Sequence, residues 1–220
     1  MPHHGFELCC FLVIVYVQKF TPVSGQDPTN IPYDPKAPLQ EQVHQSVKES
    51  LENLGTDYID SVLLHSPLPS HTETMTAWRI LEDYVDSGQI LSLGISNCYS
   101  LADFREVWQE ARIKPRTLQN RFYRESGYDV DLREFCREQN IAYQSFWTLT
   151  ANPHVIHDAK VVAIAERLKK TPEQIFFRFV MHLGITPLTG TTQTHHMHDD
   201  LDVLNFELSQ HDVGTIEKLL

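Results

Sequence analysis

Cysteine is scarce in this chain, and its spacing carries no chemistry. Cys9, Cys10, Cys98 and Cys136 include no CxxC pair and are too thinly spread for a disulfide scaffold. Reduced thiols in a cytoplasmic protein are the simplest reading. Positive charge is short as well. Eighteen Lys and Arg stand against 29 Asp and Glu, leaving a net charge of −11. A phosphate backbone is bound by a basic surface, so nucleic acid is disfavoured as a partner. The apolar stretch Leu8–Val17 is too short to span a bilayer. No Lys or Arg precedes it and no small-x-small site follows at once, so a buried strand over Phe11–Val17 fits it better than a signal segment. No membrane partner is expected. No strand is followed by GxGxxG, which counts against a Rossmann domain, and there is no P-loop pattern. No linker or low-complexity segment divides the chain.

What is present is an alternation of strands and helices. In Ile59–Pro67 (IDSVLLHSP) the apolar run Val62-Leu63-Leu64 ends on His65. Nothing in the run alternates, so it reads as a strand buried on both faces. In parallel α/β folds chemistry sits at the carboxyl edge of the strands, and His65 is the first polar side chain there. Before it, Leu39, Val43, Val47, Leu51 and Leu54 form one helical stripe over Leu39–Leu54, stopped by Gly55. After it, Thr72–Ser87 reads as a helix and Ile90–Ile95 as a strand ending on Ser96-Asn97. Ser100 caps the next helix. Thr117–Phe122 is a strand bearing Gln119, Val130–Gln139 a helix closed by Asn140, and Ile141–Phe146 a strand. Ala159–Lys170 is helical. Thr171-Pro172-Glu173-Gln174 is a capping box opening a helix that Gly184 closes. Ile185–Leu188 is the last strand, followed by helical sequence over Thr194–Leu204. Six strands, each followed by helical sequence, predict a parallel sheet that is either open or barrel-like.

The strand ends, in order, are Lys19, His65, Ser96-Asn97, Gln119, Phe146 and Thr189-Gly190-Thr191-Thr192. In that order, and with the segments LGTDYIDSVLLHSP, SGQILSLGISNCY and GITPLTGTT followed by LNFELS, the chain resembles the aldo-keto reductase family from about Val13 to Leu220. The resemblance implies a (β/α)8 TIM barrel, here shortened at its N-terminal side to about six βα units, with residues 1–220 as one domain. It implies reduction of an aldehyde or ketone to an alcohol with NADP(H) as cofactor. The substrate is then a small-molecule carbonyl compound, and some members of the family act in small-molecule biosynthesis, including secondary metabolism.

Residue by residue, His65 matches the family's catalytic histidine and Lys19 its lysine. Ser96, Asn97 and Gln119 match side chains that hold the nicotinamide carboxamide. Phe146 stands where a tyrosine usually stacks on the ring, so stacking alone carries over. Thr191, Thr192, Gln193 and His196 fall on the phosphate-binding segment, and Asp199 and Asp200 on the adenine contacts. The family's paired Asp and Tyr, spaced D-x-x-x-x-Y, have no match before Lys19. Tyr16 shares a strand with Lys19, and Tyr33 lies in a mobile-looking loop. The runner-up reading is therefore a shortened remnant that binds dinucleotide or a partner without turnover. Six strands also leave two sheet edges unpaired, which predicts low stability, a homodimer joined through them, or a partner covering them. His195, His198 and Asp199 have helical metal-ligand spacing, but no further ligands stand elsewhere in the sequence, so no metal is expected. Trp78 and Trp108 read as packing residues, and Trp147 as part of the pocket mouth.

Overall fold

The computed structural model describes residues 15–220. His3, His4, Cys9, Cys10 and most of the expected strand Phe11–Val17 lie outside the described residues. Six strands form a single parallel sheet in chain order: β1 (Val17–Phe20), β2 (Ser61–Leu64), β3 (Leu93–Ser96), β4 (Thr117–Arg121), β5 (Ala142–Phe146) and β6 (Thr186–Pro187). The first strand begins at Val17, later than expected, and carries Lys19 within it. Its neighbour explains the limit: Tyr16 spends its backbone N–H on the Asp60 carboxylate at 2.8 Å, and the ladder pairs begin at Val17 with Ser61. Among the described residues, β1 and β6 are the outermost strands of the sheet.

Helices connect the strands: α1 (Leu39–Leu54), α2 (His71–Asp86), α3 (Leu101–Glu110), α4 (Val130–Glu138), α5 (Pro153–Ile156), α6 (Ala159–Leu168), α7 (Pro172–His182), α8 (Thr194–Asp202) and α9 (Gln210–Glu217). Local chemistry sets their ends. Gly55 takes φ 65° and turns its N–H back onto the last turn of α1. Ser70 with Glu73, and Thr171 with Gln174, make reciprocal capping boxes at the starts of α2 and α7. The capping pair Ser209 and Asp212 opens α9 in the same way.

Strand alternation sorts the side chains onto two faces. Phe20, Leu64, Ile95 and Leu118 lie on the face that packs against the helices, and all are buried. Val43, Val47, Trp78, Leu81 and Phe104 meet them from α1, α2 and α3 in one core cluster. Burying each such side chain contributes roughly 1.5–3 kcal/mol. Trp78 is fully buried and satisfies its indole N–H on the Ile113 carbonyl at 3.1 Å. On the opposite face Lys19, Leu63, Gly94, Thr117 and Ala142 share one level across the sheet. Gly94 is required there. A Cβ at that position would stand 2.6 Å from the Thr117 carbonyl oxygen and 3.1 Å from Leu63 Cγ.

Among the described residues, no helix is long and apolar enough to cross a membrane.

Candidate active site

One level above Lys19 and Gly94, towards the carboxyl ends of the strands, the face away from the helices turns polar. Ser96 pairs with Gln119, Gln119 with Gln144, and Gln144 with Thr186. Continuing the register of β1, β2 and β3 by one residue places Thr21 beside His65, and His65 beside Ser96. Thr21, His65, Ser96, Gln119, Gln144 and Thr186 thus form a row across all six strands. A polar row at the carboxyl edge of a parallel sheet is where such folds bind ligands.

At the β1–β2 end of the row, Thr21 Oγ1 lies 2.8 Å from His65 Nδ1. The His65 backbone N–H donates to the Phe20 carbonyl at 2.9 Å, which fixes the height of the ring beside β1. Burial and then the charge of Lys19 lower the His65 pKa below its ordinary 6.5, so the imidazole is neutral near pH 7. Burial also lowers the Lys19 ammonium from its ordinary value. The lysine and the histidine therefore share one half-buried corner. A hydroxyl can donate to Nδ1 or accept from it; when it donates, the ring carries its proton on Nε2.

Tyr33 is not on a mobile loop. It is buried, its ring lies 5.8 Å from that of Phe20, and its hydroxyl donates to the Thr21 carbonyl at 2.6 Å. Gln26 donates to the same carbonyl at 2.9 Å. Burial raises the Tyr33 pKa, so this phenol braces the Thr21 backbone and is a poor acid. Tyr16 packs against Tyr58 before β1 begins.

Asn97 links the next two strands. Its amide donates to the His65 carbonyl at 2.9 Å and its backbone N–H to the Gln119 carbonyl at 3.1 Å. It sits at φ 52°, a left-handed conformation that asparagine tolerates. Ser96 and Gln119 are buried, and Gln119 spends one N–H on Gln144 at 2.9 Å. Behind this edge lies a network that sequence reasoning missed. The buried Asn120 side chain accepts from the Cys98 N–H at 3.0 Å and donates to the Cys98 carbonyl at 2.6 Å. It also donates to the Asp129 carboxylate at 2.7 Å, which takes the Tyr143 hydroxyl at 2.8 Å. This clamp holds the loop between β3 and α3, and so the height of Asn97. Burial pushes the Cys98 thiol up to about 12 and keeps it inert.

Phe146 ends β5 half-buried, and the exposed Trp147 follows at φ 55°. A bulky residue in that region costs on the order of 1–3 kcal/mol. The Arg121 guanidinium lies 4.2 Å from the Trp147 ring centroid and helps hold it. Phe146 and Trp147 line a cleft of about 320 Å³ with Leu149, Phe177, Thr189 and Gly190. A second cleft, of about 410 Å³, shares Leu149, Thr189 and Gly190 with the first and continues to Thr191, His196, Asp199 and Asp200. The two together make a path from the end of β5 to the start of α8. The N-cap residue of α8, Gln193, makes no side-chain cap, so the helix start presents free N–H donors. Gln193 instead bonds its own N–H to Thr191 Oγ1 at 3.0 Å, and Thr192 is exposed. Lys19 and His65 thus lie at one end of the polar row, and Thr191, Gln193, His196, Asp199 and Asp200 past the other.

The donor set fits a dinucleotide: amides and a hydroxyl at the strand ends, aromatic rings at Phe146 and Trp147, and a helix start beyond. Among the described residues, no three His, Cys, Asp or Glu side chains come together as metal ligands, so His195, His198 and Asp199 do not form such a group.

Comparison with known proteins bears on this arrangement. Residues 34–220 match the model of the aldo/keto reductase family. An uncharacterised oxidoreductase of Schizosaccharomyces pombe is 32% identical over 74% of this chain and 56% of its own length. Glyoxal reductase of Bacillus subtilis is 28% identical over 78% of this chain and 60% of its own length. The chain therefore spans less than two thirds of these curated relatives. The crystal structure of an aldo/keto reductase from Brucella melitensis superposes with a TM-score of 0.79 at 25% identity, covering 94% of this chain and 72% of that one. The six parallel βα units are those of a (β/α)8 barrel of this type. Fold, strand-end chemistry and the match over 34–220 agree: the chain belongs to the aldo/keto reductase family.

Proposed function

We propose that this chain reduces an aldehyde or ketone to the corresponding alcohol, using a nicotinamide dinucleotide, with His65 and Lys19 as its catalytic residues. The observation that carries the reading is the Thr21–His65 hydrogen bond beside Lys19 at the carboxyl edge of the sheet. When bound, the dinucleotide supplies a hydride to the carbonyl carbon. The residues of the chain act on the oxygen. Thr21 donates to Nδ1, so the neutral His65 ring carries its proton on Nε2 and donates it to the carbonyl oxygen. The Lys19 ammonium stabilises the negative charge that grows there. The alkoxide takes the histidine proton, and solvent returns one to the ring. Ser96, Asn97 and Gln119 hold the carboxamide, Phe146 stacks on the ring, and Thr191, Thr192, Gln193 and His196 bind phosphate, with Asp199 and Asp200 at the adenosine.

Tyr33 commits its hydroxyl to the Thr21 carbonyl, so this phenol is not the proton donor. Loss of such a group slows turnover by about 10²–10⁴. NADPH is the form the family resemblance implies. Relatives named NADPH-dependent alpha-keto amide reductase (Saccharomyces cerevisiae) and NAD/NADP-dependent indole-3-acetaldehyde reductase (Schizosaccharomyces pombe) support a nicotinamide dinucleotide in either form. Those names and glyoxal reductase support a small carbonyl substrate. A place in secondary metabolism rests on the resemblance alone. The reading needs no second copy, since every residue it uses belongs to one chain.

The second reading, dinucleotide binding without turnover, is favoured by the committed hydroxyl of Tyr33. The two are separated by mixing the chain with reduced dinucleotide and para-nitrobenzaldehyde and following the nicotinamide absorbance. Slow loss of absorbance with matching alcohol, abolished in His65→Ala, supports reduction. Saturable binding with no alcohol supports the second reading.

A further inference from the structure

The cleft at the start of α8 has a charge pattern that the family expectation does not anticipate. Its ionisable lining is Glu173, Asp199, Asp200, His195 and His196, with no Lys or Arg. Asp200 is occupied, accepting from Thr189 Oγ1 at 2.8 Å. Among the described residues, the Glu173 and Asp199 carboxylates have no hydrogen-bond or ion-pair partner; Asp199 contributes only its backbone carbonyl, to Gln174 Nε2 at 2.8 Å. Of the two lysines that precede this cleft in sequence, neither lines it, and Lys170 is paired with Asp202 and lies 5.3 Å from the Phe206 ring centroid. No Lys or Arg in the lining stands ready to pair with an added phosphate.

NADPH and NADH differ only at the adenosine ribose: a phosphate on the 2′ oxygen against a hydroxyl. A 2′-phosphate is recognised by an Arg or Lys, whereas a carboxylate accepts hydrogen bonds from the ribose hydroxyls. Two unpartnered carboxylates and no Lys or Arg make the Glu173–Asp199 side of this cleft an acceptor of O–H donors, ill-suited to an added 2′-phosphate. We infer that the adenosine end of the site takes NADH in preference to NADPH, and that Glu173 and Asp199 set the preference. The inference rests on the dinucleotide reading given above.

The test is equilibrium binding, with no substrate present. The full chain is titrated with NADH and, separately, with NADPH, following quenching of tryptophan fluorescence. NADH is expected to bind at least about tenfold more tightly, the scale on which like-charge juxtaposition discriminates partners. In the double variant Glu173→Gln with Asp199→Asn the gap is expected to close, because affinity for NADPH rises. NADPH binding as tightly as NADH to the natural chain overturns the preference while leaving carbonyl reduction standing. An unchanged gap in the double variant overturns the assignment to these two residues. Failure of both dinucleotides to bind overturns the inference together with the reading beneath it.

Discussion

Thr21 and His65 come from different βα units, 44 positions apart, and meet with the threonine hydroxyl 2.8 Å from the imidazole Nδ1. That contact decides what the ring can do. When the hydroxyl donates to Nδ1, the ring's proton sits on Nε2. Thr21 is itself braced, because Tyr33 and Gln26 both donate to its carbonyl.

Removing the contact tests it. Thr21→Val is expected to lower kcat by about 10-fold to 100-fold with little change in KM, while His65→Ala lowers it by about 10²–10⁴. Thr21→Ser keeps the hydroxyl and is expected to restore most of the rate. A merely structural role for Thr21 would not move the acid limb of the kcat/KM profile. Here that limb is expected to shift in Thr21→Val, since the group it reports is His65.

The lowered His65 pKa has a consequence for stability. The folded ring releases its proton below the ordinary value of 6.5, through burial and then the Lys19 charge. Between the folded and unfolded values the unfolded chain binds more protons, so stability rises with pH across that window. The contribution is complete above about pH 6.5 and is lost as the pH falls towards the folded value. Thermal unfolding of the natural chain and of His65→Gln, at several pH values from about 7 to about 5, is expected to show a smaller acid-side fall in the variant. Equal falls would place the effect on other groups.

Asn120 supports the site from behind. Asn120→Ala is expected to destabilise the fold by about 2–4 kcal/mol, read as a lower urea midpoint. It strands the Cys98 N–H and carbonyl and removes a donor from the buried Asp129 carboxylate. Asn120→Asp keeps the shape but sets a second carboxylate beside Asp129, and is expected to be as harmful or worse.

Gly94→Ala adds a methyl where 2.6 Å separates the would-be Cβ from the Thr117 carbonyl oxygen. Backbone cannot rotate away as a side chain can, so a loss of about 1–3 kcal/mol is expected in urea unfolding. Stability equal to that of the natural chain would mean that β3 and β4 pack more loosely than described.

Much of this architecture is legible in the amino-acid sequence, for identifiable reasons. The stripe over Leu39–Leu54 and the capping pairs at Ser100 and Thr171 are short-range patterns, and the helices start and stop with them. His65, Ser96 and Asn97 stand at or just past strand ends because apolar runs stop there. Gln119 instead lies in the middle of β4 and reaches the polar row through its pairing with Ser96 and Gln144, and Phe146 ends β5. Register is not a local property. Thr21 lies in a Pro-rich stretch with nothing to mark it, and only the pairing of Phe20 with Leu64 brings it to His65. Tyr33 was misread for the same reason: its anchors, Phe20 and the Thr21 carbonyl, are 12 or more positions away. The helix α9 is weakly amphipathic and contains Gly214, so its pattern is faint, although its capping pair Ser209 and Asp212 was a usable signal. Asp129 showed no signal either. Its partners Asn120 and Tyr143 come from two strands, and it sits at φ 51° after two further residues with positive φ, Gly127 and Tyr128.

The most direct test of the central claim is the fate of the hydride. The chain is supplied with reduced dinucleotide carrying deuterium at the nicotinamide C4 and with para-nitrobenzaldehyde, and the alcohol is analysed by mass spectrometry. The account predicts alcohol with one deuterium on the carbinol carbon, formed slowly by the natural chain and not by His65→Ala. A folded chain that binds the dinucleotide yet yields no deuterated alcohol would contradict it.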